Sequence, residues 1–234
     1  MNVLSVRNLS KSFGGVQALR DVSFSVAPGE ILAMIGPNGA GKTTCFNVIN
    51  GQLRPDAGSV FLGQRKIEGL PPRQLCRLGV GRTFQVAATF GSMSVRENLQ
   101  VVERAPGDGR SVLAAVGIEA LADHQCAALA YGDLKRVELA MALAARPNLL
   151  LMDEPTAGMA VAERQALMAL VRRMSGQDGI SVLFTEHDMD VVFAFADRVI
   201  VLDEGEVLTQ GLPSEVRADE RVRRVYLGEE AGHA

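Results

Sequence analysis

Between the apolar run GEILAMIG and the helix-like run CFNVIN the chain carries the octapeptide GPNGAGKT. Its Gly36, Gly41, Lys42 and Thr43 satisfy the pattern G-x-x-x-x-G-K-[ST]. No other feature restricts the fold as much. GEILAMIG has the near-continuous hydrophobicity of a strand buried on both faces of a parallel sheet, so the motif lies where a strand turns into a helix. A glycine-rich turn there points consecutive backbone N–H groups inward as an anion nest, and the helix adds the positive end of its dipole. Lys42 then reaches the β- and γ-phosphates of a nucleoside triphosphate, and the Thr43 hydroxyl holds Mg²⁺. A chance glycine-rich turn with a lysine would not carry these flanks.

A second element fits the first. LLLMDE ends a buried apolar run with Asp153 and Glu154 at its carboxyl end, where open α/β sheets place their ligands. Alone, the two carboxylates fit a turn cap equally well. With the phosphate loop upstream, Asp153 becomes a metal partner, directly or through water, and Glu154 a general base for water. His187, in FTEHD, follows a third buried strand at the same sheet edge and is a candidate γ-phosphate contact. Gln85, a polar residue between apolar ones in RTFQ, says little by itself.

Period-2 alternation makes VLSVRNL and VSFSVA strands, and SVFLGQRK another. PPRQLCRLG reads as a Pro-started helix with a glycine stop. Between Val86 and Ala128 lie the helical patches SVRENLQVV and RSVLAAVGIEALAD, separated by the turn-rich APGDG. LKRVELAMALAA is a helix stopped near Pro147, AERQALMALVRRM another helix, and ISVLFTE a buried strand. RVIVLDEGEVLTQG reads as a glycine-turned hairpin. Strands alternating with helices imply parallel βαβ units.

Composition narrows the function. Of 234 residues 47% are hydrophobic and 22% charged, enough for a real core. A net charge of −3 offers no basic stripe, so nucleic acid is not the expected ligand. The opening MNVLSVRNLSKSFGG lacks a secretory signal, and no apolar run reaches the roughly 18–20 residues that cross a bilayer. Cys45, Cys76 and Cys126 have neither metal-site nor disulfide spacing and suit a reducing cytosol.

In order, the chain presents Phe13, GPNGAGKTT, TFQ, LAYGD, LLLMDEPTAGM and TEHD. Over essentially its whole length it resembles the nucleotide-binding subunit of an ABC transporter. FGGVQAL, GVGRTFQ, TAGM, EHDMDVV and VYLGE make it most similar to the ATPases of branched-chain amino acid importers. The resemblance implies an α/β fold: a P-loop NTPase with a RecA-like core, an antiparallel β subdomain and a helical subdomain, the ABC ATPase architecture. Residues 1–234 form one nucleotide-binding domain, with core and β subdomain at 1–85 and 146–234 and the helical lobe at roughly 86–145.

The resemblance also implies roles. Phe13 stacks on adenine. Gly36, Pro37, Asn38, Gly39, Ala40, Gly41, Lys42, Thr43 and Thr44 bind the phosphates. Thr43, Gln85 and Asp153 attend Mg²⁺, and Glu154, His187 and Gln85 serve hydrolysis. Leu129, Ala130, Tyr131, Gly132 and Asp133 form the signature, which grips ATP held by a second chain, identical or a paralogue. The helical lobe docks transmembrane permease subunits at the cytoplasmic face of the inner membrane. An extracytoplasmic substrate-binding protein acts through them.

Three departures stand out. The commoner signature has Ser where this chain has Ala130 and Gln where it has Asp133. The lost hydroxyl is worth about 1.5–3 kcal/mol for a bond to a charged group. What remains is the helix N-terminus and Gly132, which must lie at a surface able to meet Lys42 of a neighbour. Asp133 suits the helix dipole but repels phosphate, and Lys135 and Arg136 are placed to offset it. Ala160 stands where many relatives carry Asp or Asn facing the partner's site. The lobe between Gln85 and Leu129 is short. Two alternatives stay open: a lipopolysaccharide-export ATPase, whose tail resembles RVYLGE, and a soluble ABC ATPase acting on nucleic acid or ribosomes.

Overall fold

A computed structural model of the chain describes residues 1–83, 88–102 and 109–230. The first part runs β1 (Leu4–Phe13), β2 (Val16–Val26), β3 (Ile31–Ile35), α1 (Lys42–Ile49), β4 (Ala57–Leu62) and β5 (Arg65–Lys66). Then come α2 (Pro72–Arg77), β6 (Val80–Thr83), α3 (Val95–Val102), α4 (Gly109–Val116) and α5 (Tyr131–Ala144). The last part is β7 (Leu149–Asp153), α6 (Val161–Asp178), β8 (Ser181–Thr185), α7 (Met189–Phe195), β9 (Arg198–Asp203) and β10 (Glu206–Gly211). Helices α8 (Pro213–Ala218) and α9 (Glu220–Glu230) follow.

The strands form two sheets. One is antiparallel in the order β2-β1-β4-β5; the other runs β10-β9-β3-β8-β7-β6. In the second, β9, β3, β8, β7 and β6 are parallel and β10 returns antiparallel as the expected hairpin partner of β9. All five residues of β3 and of β8 are buried, as strands covered on both faces must be.

Alternation sorts the side chains of this sheet. Ile31, Ala33, Ile35, Met152, Phe184 and Val201 enter one cluster, with residues of α3 to α9. Leu32, Met34, Leu151, Leu183 and Leu202 enter the other, with the antiparallel sheet and with Cys45 and Phe46 of α1. The period of two thus places the antiparallel sheet on one face and the longer helices on the other.

Some expectations shift. β6 forms from VGRT, which carries no strand-like alternation, and pairs with β7 at the sheet edge. RSVLAAVGIEALAD is not one helix: Gly117, at φ 74°, stops α4, and a 3₁₀ turn follows at Glu119–Leu121. Helices α7, α8 and α9 were not anticipated. APGDG lies largely outside the described residues.

Candidate functional site

The phosphate loop leaves the carboxyl end of β3 and enters α1 at Lys42. Two of its glycines are required by space. A Cβ on Gly36 would lie 2.1 Å from the Leu202 carbonyl oxygen, and one on Gly41 would lie 2.5 Å from that of Ala18. Both also have positive φ, 152° and 100°. Ala18 belongs to β2, so the antiparallel sheet abuts the loop. Lys42 is buried and folds back over the turn, donating to the carbonyl oxygens of Gly36 at 2.5 Å and Pro37 at 2.9 Å. Asn38, Gly39 and Thr43 are exposed, Pro37 and Thr44 half-buried, and Ala40 buried.

The acidic pair ends β7. Asp153 stands opposite Thr185 of β8, whose hydroxyl donates to its Oδ1 at 2.9 Å. Glu154 breaks away from the sheet in a left-handed conformation, φ 46°, uncommon for a side chain of its size. Its N–H is held by the Thr185 carbonyl at 3.2 Å and hydroxyl at 3.1 Å. His187 Nε2 then meets Glu154 Oε1 at 2.7 Å. Because β8 lies between β3 and β7, the loop, the two carboxylates and His187 all lie at one edge of one sheet.

Sequence patterns did not point to the supports of this pair. Arg82 on β6 reaches within 3.5 Å of Asp153 Oδ2 and donates to Gln52 at 2.9 Å and Asn47 at 3.2 Å. Burial lowers its pKa and Asp153 partly restores it; a guanidinium stays charged throughout. Arg82 thus joins the acidic end of β7 to the helix behind the phosphate loop. Its only sequence signal was a charged residue inside an otherwise small and apolar run.

Phe13 closes β1 with 46% of its surface exposed, so it is no core residue, and the Lys11 ammonium lies 5.4 Å from its ring centroid. Gln85 lies outside the described residues.

The signature departs from expectation in two ways. Ala130 is the exposed N-cap of α5 and offers no side-chain cap; Tyr131 is exposed, and Leu129 and Asp133 are half-buried. Gly132 does not lie open at a surface: it is buried, and a Cβ there would come 2.7 Å from Oε1 of Glu163 on α6. The same carboxylate accepts the Ala160 N–H at 3.0 Å, so it holds the first turn of α6 beside that of α5. Lys135 does not offset Asp133 either. It turns inward, buried, to Glu138 at 3.4 Å.

The model of the family described as "ABC transporter" matches residues 19–157, well over half of the chain. The chain belongs to this family. It is an ATP-binding cassette, an ATPase coupled to transport. A second family model, described as "Branched-chain amino acid ATP-binding cassette transporter", matches residues 206–232. The cassette is 37% identical to the high-affinity branched-chain amino acid transport ATP-binding protein of Salmonella typhimurium, over 97% of this chain and 98% of that protein. It is 38% identical to the lipopolysaccharide export system ATP-binding protein of Acidithiobacillus ferridurans, over 97% and 98%. Among solved structures, the ADP conformation of an ABC transporter cassette superposes with a TM-score of 0.91 at 32% identity, covering 97% of this chain and 99% of that one. These likenesses bear out the α/β ABC ATPase fold. Among the described residues no helix is long and apolar enough to cross a membrane.

Proposed function

We propose that this cassette powers an importer of branched-chain amino acids or related compounds. The match of residues 206–232 to the branched-chain amino acid cassette family favours that cargo class over lipopolysaccharide, whose export cassettes match the chain less strongly. In this reading the cassette pairs with a second cassette on the cytoplasmic face of the membrane. Its helical lobe, within residues 86–145, meets permease subunits, and an extracytoplasmic binding protein delivers cargo to them. Nucleic acid has no part.

One observation carries the catalytic reading: phosphate loop, acidic pair and His187 share one sheet edge, with His187 already on Glu154 at 2.7 Å. The loop and Lys42 hold the β- and γ-phosphates of ATP, and Phe13 offers its exposed ring to adenine. Thr43 and Asp153 present hard oxygen donors that fit Mg²⁺, which would neutralise phosphate charge there. Glu154 Oε1 takes a proton from a water whose oxygen attacks the γ-phosphorus in line. The bond from that phosphorus to the bridging oxygen breaks, and ADP leaves with the electron pair. His187 orients Glu154 and the γ-phosphate.

The second cassette supplies the amino end of its α5, exposed at Ala130 and Tyr131. Since Glu163 covers Gly132, closing the pair moves that carboxylate aside. Hydrolysis removes the bridge, and the difference in affinity between closed and open states does the mechanical work.

Glu154→Gln tests this reading. It should bind ATP normally and accumulate an ATP-dependent dimer by size-exclusion chromatography. A variant that stays monomeric with saturating ATP and Mg²⁺ contradicts the sandwich. Co-purification with an amino acid permease, and not with export subunits, tests the cargo class.

A further inference from the structure

The loop bearing His187 is held on both sides. Before it, Glu186 Oε1 accepts the Thr156 N–H at 2.9 Å and the Thr156 hydroxyl at 2.5 Å, a buried contact. Glu186 also accepts the His187 N–H at 3.1 Å. After it, Asp188 caps α7, accepting the N–H groups of Asp190 at 3.0 Å and Val191 at 3.3 Å. Its other oxygen takes Nη1 of Arg164, from the first turn of α6. The same guanidinium donates Nε–H to the carbonyl oxygen of Met159 at 2.7 Å. One planar group therefore binds two loops: the turn that carries Met159 and Ala160, and the loop that carries His187.

The pair is half-buried, with 30% and 27% of the two side chains exposed. Burial raises the Asp188 pKa, but the bonds from Arg164 and the α7 amides outweigh it, so the carboxyl lies below its usual range. The arrangement suits arginine. Two donors in a fixed fork satisfy a carboxylate and a backbone carbonyl at once, which a lysine ammonium does with far less definition.

We propose that Arg164 is a positioning residue for hydrolysis: by tying the Met159 carbonyl to the Asp188 carboxylate it holds the His187 loop so that Nε2 stays on Glu154 Oε1. The inference rests on the reading of Glu154 and His187 as the reacting pair.

The test is steady-state ATP hydrolysis by the full chain carrying Arg164→Met or Asp188→Asn, beside wild type and Glu154→Gln. Asn caps a helix about as well as Asp, so Asp188→Asn keeps α7 and removes only the charge that holds Arg164; it carries the test if Arg164→Met fails to fold. Both variants should lose kcat by about tenfold while KM for ATP stays within about twofold, since the phosphate loop and Lys42, which carry most of the ATP binding in this reading, are untouched. A kcat within about twofold of wild type, or a loss of kcat matched by an equal rise in KM, overturns the proposal. If both variants match wild type while Glu154→Gln is inactive, only the clamp falls. If Glu154→Gln turns over like wild type, the reading of the site falls and the clamp with it.

Discussion

Replacing Lys135 with Met tests how the signature helix is anchored. Lys135 Nζ and Glu138 Oε2 are 3.4 Å apart, with 2% and 5% of their side chains exposed. Glu138 Oε1 also accepts the Ala88 N–H at 3.4 Å, and the Lys135 ammonium lies 5.8 Å from the Tyr131 ring centroid. The pair thus runs from the exposed signature tyrosine to the segment just after residues 84–87. Two unit charges at that separation attract by about 5 kcal/mol at an effective dielectric constant of about 20. Desolvating each ion costs several kcal/mol, so the pair contributes little net stability. Removing one partner is different, because it takes the Lys135 cation away from a buried carboxylate, at a cost of about 3–5 kcal/mol. With about 2–4 °C of Tm per kcal/mol for a chain of this size, Lys135→Met should melt about 6–20 °C below wild type. Lys135→Met with Glu138→Leu removes both charges and should melt within about 3 °C of wild type, or above it. Thermal unfolding followed by far-ultraviolet circular dichroism, without nucleotide, reads all four members of the cycle. A double variant that melts as low as the single would refute the reasoning, since the loss would then be packing and not the broken charge pair.

Three further outcomes follow from single positions. Ala130→Ser restores a hydroxyl at the exposed N-cap of α5, a group worth about 1.5–3 kcal/mol when it meets a charged ligand. In the Glu154→Gln background it should tighten the ATP-dependent dimer about tenfold or more by sedimentation; a weaker dimer places Ala130 wrongly. Gly36→Ala brings a Cβ onto a β9 carbonyl at 2.1 Å, so binding of a fluorescent ATP analogue should be lost, and unchanged affinity would contradict the loop geometry. Burial pushes the Cys45 thiol up to about 12, whereas Cys76 is exposed. Alkylation of the native chain at mildly alkaline pH should therefore mark Cys76 first, and equal labelling of Cys45 would show α1 to be open.

The phosphate loop, the acidic pair and the central strands were legible because each is specified locally. GEILAMIG declares a strand buried on both sides by composition alone, and the motif spacing announces Gly36 and Gly41, although the carbonyls that demand them belong to Leu202 of β9 and Ala18 of β2. The contact of His187 with Glu154 was legible only as a shared sheet edge. Its closeness depends on the left-handed backbone at Glu154, for which the residue type gives no signal. Strand β6 was hidden for another reason. VGRT is too short and too mixed to show a period of two, and it becomes a strand because β7 offers it an open edge.

Helix α5 shows most clearly where reading by residue type gives out. LKRVELAMALAA has the composition of a helix, and charged residues in a helix are ordinarily assigned to its solvated face. Yet Gly132, Lys135, Glu138, Leu139 and Ala142 follow one another at helical spacing on the buried side. The inner face of this helix is therefore partly ionic, and an ion pair can occupy it because each charge brings its own partner. The same inward face explains Gly132. It is a glycine because α6 comes close enough to put the Glu163 carboxylate where a Cβ would stand, a constraint within the chain and separate from any phosphate held across a dimer. Packing within the chain therefore demands glycine there, whether or not the proposed pairing across phosphate demands it too. Gly132→Ala separates them: a displaced Glu163 carboxylate with the ATP-dependent dimer intact marks the packing demand alone. Loss of the dimer at unchanged thermal stability marks the other.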